Sequence, residues 1–301
     1  MARRRLKPKG KKTYHHVVTR TAQQVYWLED VEFKKEFVDL IDFFSRVYYI
    51  DVLGYVCMSN HIHLCLAVHR PDFDLDDLRR RHELAQTRLA NPRDFREPMA
   101  DHFYERYTDL SMFMWEINRR LALAYNKRKG TAGHLWGGRF KNIVVEDGQS
   151  LMNVLAYIEL NPVRAGMVED PSDFAYSSVG RIKTQLEQNK PAQPPAVAPL
   201  DRFPEEIRAR TYLEWIRYVA LSLRDPELKR RTLPLQFTAY GWEFDMIAVC
   251  EALETKAPGG WSSFIYGTQD FARRTLTEAG WLVPIKQQQE VAQSGPSNAA
   301  A

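Results

Sequence analysis

The chain has 301 residues, 45% of them hydrophobic and 27% charged, and its formal net charge at pH 7 is +4. This composition is that of an ordinary globular protein, with room for one substantial core and a second small domain. No apolar run approaches the length of a membrane span, and the first residues lack the apolar stretch of a signal peptide. We therefore expect a cytoplasmic protein with no membrane partner.

The N-terminal segment is strongly basic. Residues 1–12 form a predicted basic arm, which contains Arg3, Arg4, Arg5, Lys7, Lys9, Lys11 and Lys12. Such arms contact nucleic-acid phosphates, although a disordered solubilising tail has the same composition. After the arm, the pattern predicts a strand over 14–21 and an amphipathic helix over 31–47. The inward positions of that helix are Phe33, Phe37, Leu40, Ile41 and Phe44.

Two predicted strands follow, over 48–57 and 61–68, and the second begins with the pair His61 and His63. Strand side chains alternate between faces, so both imidazoles point the same way and can grip one metal ion. A histidine pair that only hydrogen-bonds its neighbours is the alternative. The thiols Cys57 and Cys65 could bind zinc, but their apolar strands favour core packing. With Cys250 they form no Cys-x-x-Cys pair, so we expect free thiols.

A second basic stretch lies between Trp115 and Lys141. It follows a predicted helix over 74–88 and an irregular insertion over 91–102, and a further helix within 104–129 should end near Gly130. Cations that neutralise phosphates alternate here with rings that stack on unpaired bases: Arg119, Arg120, Lys127, Arg128, Lys129, His134, Arg139 and Lys141 with Tyr125, Trp136 and Phe140. For Trp115 and Tyr125 we favour burial in the core.

The next helix carries a tyrosine and an amide one turn apart. After a predicted strand over 140–145, apolar residues recur at helical spacing from Leu151, and Pro162 is expected to end the helix at Asn161. Tyr157 and Asn161 are four residues apart and therefore share one face. Periodicity alone favours a core tyrosine, and an Asn-Pro helix terminator is the alternative role for Asn161.

The chain changes character after about residue 180. We predict a main α+β domain over 13–185, a proline-rich linker over 186–203, a small helical module over 204–285 and a disordered tail over 286–301. Within the module, helical periodicity covers residues 204–223 and 266–281.

Taken together, the motifs resemble those of the REP-associated tyrosine transposases, a branch of the HUH single-strand transposases. The matching segments occur in the family's order: YHHVVTR (14–20), MSNHIHL (58–64), GHLWGGRFK (133–141), YIELNPVRAG (157–166) and YSS (176–178). The resemblance implies a ferredoxin-like or RRM-like antiparallel sheet with helices on one face, the HUH endonuclease fold. It also implies a bacterial protein that associates with the nucleoid.

The resemblance further implies a site and a reaction. Tyr157 would be the nucleophile, and His61, His63 and Asn161 would hold Mg²⁺ or Mn²⁺; family members often carry a longer glutamine at the amide position. The reaction would cleave and rejoin single-stranded DNA near palindromic repeat hairpins, with Tyr157 joined to the 5′ phosphate. We expect DNA contacts from Arg3, Arg4, Arg5, Arg20, Arg119, Arg120, Lys127, Arg128, Trp136, Arg139, Lys141 and Arg164.

Two other function classes stay open. A domesticated transposase that binds hairpin DNA as a regulator would keep the same motifs with little or no cleavage. A metal-dependent hydrolase unrelated to DNA would need further ligands at strand ends, whereas its candidates fall in a predicted loop: His69, Asp72, Asp74 and Asp76. The sequence leaves open the recognised DNA, the identity of the metal, and whether the protein is a monomer or a homodimer.

Overall fold

A mainly antiparallel sheet forms the centre of the fold. The structure is a computed structural model that describes residues 10–89, 91–195, 197, 200, 205–225 and 265–278. In this part of the chain the sheet has five strands, in the order β2-β3-β1-β4-β5: β1 (Lys12–Arg20), β2 (Ile50–Cys57), β3 (His61–His69), β4 (Lys141–Val145) and β5 (Ile265–Tyr266). All pairings are antiparallel except that of β5, which runs parallel to β4. The predicted α+β class and its antiparallel sheet are confirmed.

Helices connect the strands and follow them. They are α1 (Val31–Val47), α2 (Leu75–Gln86), α3 (Ala100–Tyr107), α4 (Leu110–Lys129), α5 (Gln149–Glu159), α6 (Asn161–Arg164), α7 (Ser178–Glu187), α8 (Glu205–Arg224) and α9 (Gln269–Glu278). Local chemistry sets the ends of the long helices. The Asp30 carboxylate accepts hydrogen bonds from the first turn of α1, at 2.9 Å from the Glu32 amide nitrogen. Gly130 ends α4 with a left-handed φ of 63°, as predicted.

One face of the sheet packs against α1 and α4. The apolar residues of β3 on this face, Ile62, Leu64 and Leu66, belong to one buried cluster with the inward residues of α1. Phe33, Phe37, Leu40, Ile41 and Phe44 are all buried, so the predicted inward face of α1 is confirmed. Burial of each such side chain stabilises the fold by roughly 1.5–3 kcal/mol.

Helices cover the opposite face of the sheet as well. The prediction placed helices on one face only, so the structure has an additional helical layer. The strand residues there, including Cys65 and Ala67, form a second buried cluster with α5, α7 and α8. The physical reason is the composition of β1 and β3, whose interior positions are buried on both faces. Cys57 and Cys65 are buried free thiols, as expected, and Cys250 lies outside the described residues.

The segment after α7 shares this second core. Ala192, Val197 and Leu200, within the predicted linker, are buried against it, as are Tyr212 and Trp215 of α8. The described part of 186–225 therefore differs from a free linker and a separate module, because the apolar face of α5 needs cover that α8 supplies. The predicted basic arm up to residue 9 and the predicted tail over 286–301 lie outside the described residues.

In the described residues, no helix has the length and apolar character that crossing a bilayer requires.

Candidate active site

Tyr157 meets the histidines of two strands on the face covered by α5. The ring centroid of Tyr157 lies 5.7 Å from that of His63 and 5.8 Å from that of His16. The His61 and His63 rings are 4.9 Å apart and nearly perpendicular. Groups more than ninety residues apart in sequence therefore converge at one place.

Strand register explains why the three histidines meet. In the antiparallel pairing of β1 and β3, Val18 lies opposite His63 and Arg20 opposite His61. Since side chains two residues apart share a face, His16 becomes a diagonal neighbour of His63 on that face. His15, the next residue back, points to the other face and hydrogen-bonds the Asn142 side chain at 3.1 Å.

His16 is a site residue that our sequence analysis did not single out. Its Nε2 lies 2.9 Å from Nδ1 of His63, and this buried hydrogen bond needs one ring to donate and the other to accept. The bond therefore couples the tautomers of the two rings. The available signal was the second histidine of YHHVVTR, which period-two alternation places on the same face as Tyr14 rather than with His15.

The site histidines are uncharged at neutral pH chiefly because they are buried. Burial lowers the pKa of His16 to about 3. Burial and then the Arg20 guanidinium lower the pKa of His61 to about 4. The pKa of His63 falls well below its ordinary value, chiefly through burial and then through the neighbouring His16 and His61 rings. Neutral imidazole is the form that binds metal ions.

The tyrosine is flanked by a cation and by the start of α6. The Arg164 guanidinium carbon lies 5.0 Å from the centroid of the Tyr157 ring. Asn161 begins α6 rather than ending α5, which stops at Glu159, so Pro162 falls within the first turn of a new helix. The Asn161 side-chain Nδ2 donates to the Tyr157 carbonyl at 2.7 Å, which is the behaviour of a helix terminator.

The donor set is compatible with a divalent cation. His61 Nδ1 lies 2.6 Å from the Asn60 side-chain oxygen, and His63 Nδ1 is engaged by His16. Neither hydrogen bond uses the Nε2 atom of His61 or His63. Fixing a ring through its other nitrogen is how proteins usually orient metal-binding histidines. Among the described residues no three His, Cys, Asp or Glu side chains form a metal-binding group. Two imidazoles would therefore need the Asn161 oxygen, water or phosphate to complete the coordination.

A buried carboxylate holds the tyrosine helix in place. Glu159, fully buried and two residues after Tyr157, accepts hydrogen bonds from Ser178 Oγ, from the Val179 amide nitrogen at 3.1 Å and from Tyr212 Oη at 3.1 Å. Burial raises the pKa of this carboxyl to about 7, against these stabilising bonds. Glu159 was not predicted as a site residue, although a lone acidic residue in an apolar helix was a signal.

The predicted DNA-contact cations fall into three groups. Arg3, Arg4 and Arg5 lie outside the described residues. Two others already have carboxylate partners: Arg120 is 3.5 Å from Glu116, and Arg128 is 3.0 Å from Glu36. The remaining cations are exposed, and these are Arg20, Arg119, Lys127, Arg139, Lys141 and Arg164.

The tryptophans differ from the expected arrangement. Trp115 is 50% exposed, so the prediction that it belongs to the core was wrong. It lies on the outer side of α4, whose neighbouring positions Phe113 and Met114 take the core. Trp136, expected to stack on bases, is half-buried and donates its indole N–H to the Asn118 carbonyl at 2.8 Å. Tyr125 packs against the core as expected.

Comparison with known proteins supports the motif-based resemblance. No family model matches the chain. A putative REP-associated tyrosine transposase of Haemophilus influenzae is 37% identical over 62 residues, which are 20% of this chain and 35% of the relative. The chain is similar to the REP-associated tyrosine transposases. It spans about a third of the length of the curated relative that it matches.

A solved structure gives a second comparison. It is described as the structure of a REP-associated tyrosine transposase bound to a REP hairpin. The two proteins are 17% identical with a TM-score of 0.42, and the match covers 62% of this chain and 87% of the other.

Proposed function

We propose that this protein is a tyrosine transposase that cleaves and rejoins single-stranded DNA near palindromic hairpins. The observation that carries the proposal is the convergence of Tyr157 with His63 and His16, at ring separations of 5.7 and 5.8 Å. A tyrosine that served only the core would not need exposed cations beside it. Here Arg164 lies over its ring, and Arg20 lies opposite His61 in the sheet register.

The proposed reaction uses Tyr157 as the nucleophile. Its phenolic oxygen attacks the scissile phosphorus, a new bond from this oxygen to phosphorus forms, and the bond to the 3′ oxygen breaks. The phenol loses its proton and the departing 3′ oxygen gains one, so the products are a 5′-phosphotyrosine and a 3′ hydroxyl. Because the phosphotyrosine conserves the bond energy, the reverse attack rejoins strands without ATP.

Cationic and neutral groups have separate tasks in this scheme. Arg164, 5.0 Å from the Tyr157 ring, offsets negative charge near the attacking oxygen. His61 and His63 would hold Mg²⁺ or Mn²⁺ with the Asn161 amide oxygen. Such an ion, when bound, would neutralise charge on the phosphoryl oxygens. His16 would act as a positioning residue for His63.

A DNA-hairpin-binding regulator is the second candidate. It would use the same exposed cations and would not need the buried hydrogen bond between His16 and His63. That bond orients an imidazole at the tyrosine, which favours the transposase.

A covalent-capture experiment tests the proposal. The protein is incubated with Mn²⁺ and a labelled pool of single-stranded DNA hairpins whose stems and unpaired flanks are randomised. We expect a denaturant-resistant protein–DNA adduct that disappears in Tyr157→Phe, because the variant lacks the attacking oxygen.

Tyr176→Phe is the matched control, because the Tyr176 ring lies against Lys34 rather than at the histidines. This variant should form the adduct at the wild-type level. Hairpin binding without any adduct would support the regulator instead, and an adduct that persists in Tyr157→Phe would contradict the assignment of the nucleophile.

A further inference from the structure

A groove with aromatic walls and a cationic rim lies at the same end of the sheet as His61, on the side that α4 covers. It has a volume of about 720 Å³ and lies between α4 and the loop over 131–140. Its walls are formed by Trp115 and Trp136, and its rim carries the cations Arg119 and Arg139. Among the described residues that line it, none is Asp or Glu.

Trp115 is the unusual member of this groove. Half of its surface is exposed, although an indole is among the side chains that gain most from burial. The Arg119 guanidinium carbon lies 5.4 Å from the indole centroid, one helical turn further along α4. The arrangement offers an aromatic face with a positive charge already placed at it.

The rest of the groove is held firmly by the core. The Trp136 indole is fixed by its 2.8 Å hydrogen bond to the Asn118 carbonyl and packs against Phe33. Leu135 and Phe140, which also line the groove, are buried. A preformed wall of this kind loses little conformational entropy when a flat ring enters.

Backbone contacts connect the groove to the histidine site. The Gly137 amide nitrogen donates to the Arg20 carbonyl at 2.9 Å, and Arg20 lies opposite His61 in the sheet. A Cβ at Gly137 would come within 2.9 Å of the Thr21 carbonyl oxygen, so glycine permits this close approach. The groove and His61 therefore lie at the same end of the sheet.

We propose that the groove binds an unpaired nucleobase of the DNA strand that carries the scissile phosphate, with the base stacked on Trp115 and the adjoining phosphates on Arg119 and Arg139. That this strand is the one cleaved rests on the proposed function. An exposed indole lies here with exposed cations, and the described part of the lining holds no carboxylate. This combination fits single-stranded nucleic acid, whose bases stack and whose backbone is anionic. An apolar protein segment would have no use for the cationic rim.

A binding experiment with the full chain separates stacking from charge. Fluorescence anisotropy is measured with labelled (dT)₁₀ and with an abasic strand of the same length and charge. We expect Trp115→Ala to weaken (dT)₁₀ binding about 5- to 150-fold, the range for loss of one stacked base, and to leave abasic-strand binding unchanged. Arg119→Gln should weaken binding of both strands.

Two control variants keep the test specific. Trp115→Phe retains an aromatic ring and should recover most of the affinity for (dT)₁₀. Phe73→Ala removes another aromatic side chain that is 50% exposed, two residues before α2, and should have no effect. Equal binding of (dT)₁₀ by wild type and Trp115→Ala would overturn the proposal. So would self-association that Trp115→Ala abolishes, which would assign the groove to a second copy of the chain.

The outcome is separable from that of the proposed function. Base binding that depends on Trp115 while no covalent adduct forms would support the groove proposal and contradict the proposed nuclease activity. An adduct dependent on Tyr157, with (dT)₁₀ binding indifferent to Trp115, would do the reverse.

Discussion

At the scale of single residues, the site is organised by a hydrogen bond between two rings. His63 leaves its Nε2 to a ligand while its Nδ1 is held 2.9 Å from Nε2 of His16. Because burial lowers the pKa of His16 to about 3, the bond orients the His63 ring and couples the two tautomers without adding charge at neutral pH. The residue that controls His63 therefore lies on a different strand from the histidine pair.

Replacing His16 should loosen His63. We expect His16→Ala to weaken Mn²⁺ binding roughly 10- to 100-fold, the usual cost of losing an outer partner of a metal-binding histidine. Titration calorimetry measures this affinity, and ¹⁵N spectra of the metal-free protein report the His63 tautomer. His16→Gln, which keeps an acceptor, should recover part of both signals.

His15→Gln is the matched control for that experiment, because His15 faces Asn142 on the other side of the sheet. Its Mn²⁺ affinity should equal that of the wild type. If His16→Ala leaves both the tautomer and the affinity unchanged, His16 has only a packing role.

At the scale of elements, α5 is held by the helices that follow it. The Glu159 carboxylate joins α5 to the start of α7 through Ser178 and Val179, and to α8 through Tyr212. The helix that positions Tyr157 therefore depends on a segment more than fifty residues downstream.

Removing the Glu159 carboxylate should lower the free energy of unfolding more than removing any one of its hydrogen-bond partners. We expect Glu159→Ala to lower the free energy of unfolding by roughly 3 kcal/mol, since it leaves buried donors without an acceptor, and Tyr212→Phe to lower it by about 1 kcal/mol. Urea unfolding at constant pH measures both changes. Glu187→Ala, at an exposed position of α7, should stay near the wild type. A Glu159→Ala loss no larger than that of this control would refute the role.

The sequence predicted the helices and strands better than it predicted which of them pack together. The periodicity of α1 and the alternation around His61 and His63 are local, and they indicated the correct faces. The cover that α8 gives to α5 depends on packing between distant segments, which no local pattern encodes. Trp115 shows the same limit, because a short window could not distinguish the inner side of α4 from its outer side.

At the scale of the whole molecule, buried histidines make folding sensitive to acid. Burial lowers the pKa of His15 to about 4 and that of His16 to about 3, against an ordinary value of 6.5. The unfolded chain therefore binds more protons than the folded one between pH 6.5 and about 4. Glu159 acts in the opposite direction, since its folded pKa of about 7 lies above the ordinary 4.5.

Because the depressed histidines outnumber this one carboxyl, stability should be highest above pH 6.5 and should fall as the pH drops toward 4. Each histidine contributes a slope of up to about 1.4 kcal/mol per pH unit. Urea unfolding in EDTA at pH 7, 6 and 5 measures the slope, and His15→Gln should reduce it by up to that amount. A flat or rising stability on acidification would show that the histidines are solvated.

The short strand β5 has one more consequence. Its two residues pair with Val144 and Val145 of β4. The Tyr266 hydroxyl accepts a hydrogen bond from the side-chain amide of Asn153, which lies one turn before Tyr157 in α5. An uncovered edge of β4 would present open backbone groups on which a foreign strand could align. β5 thus protects this edge of β4 from intermolecular sheet growth, while Tyr266 braces the helix that carries Tyr157.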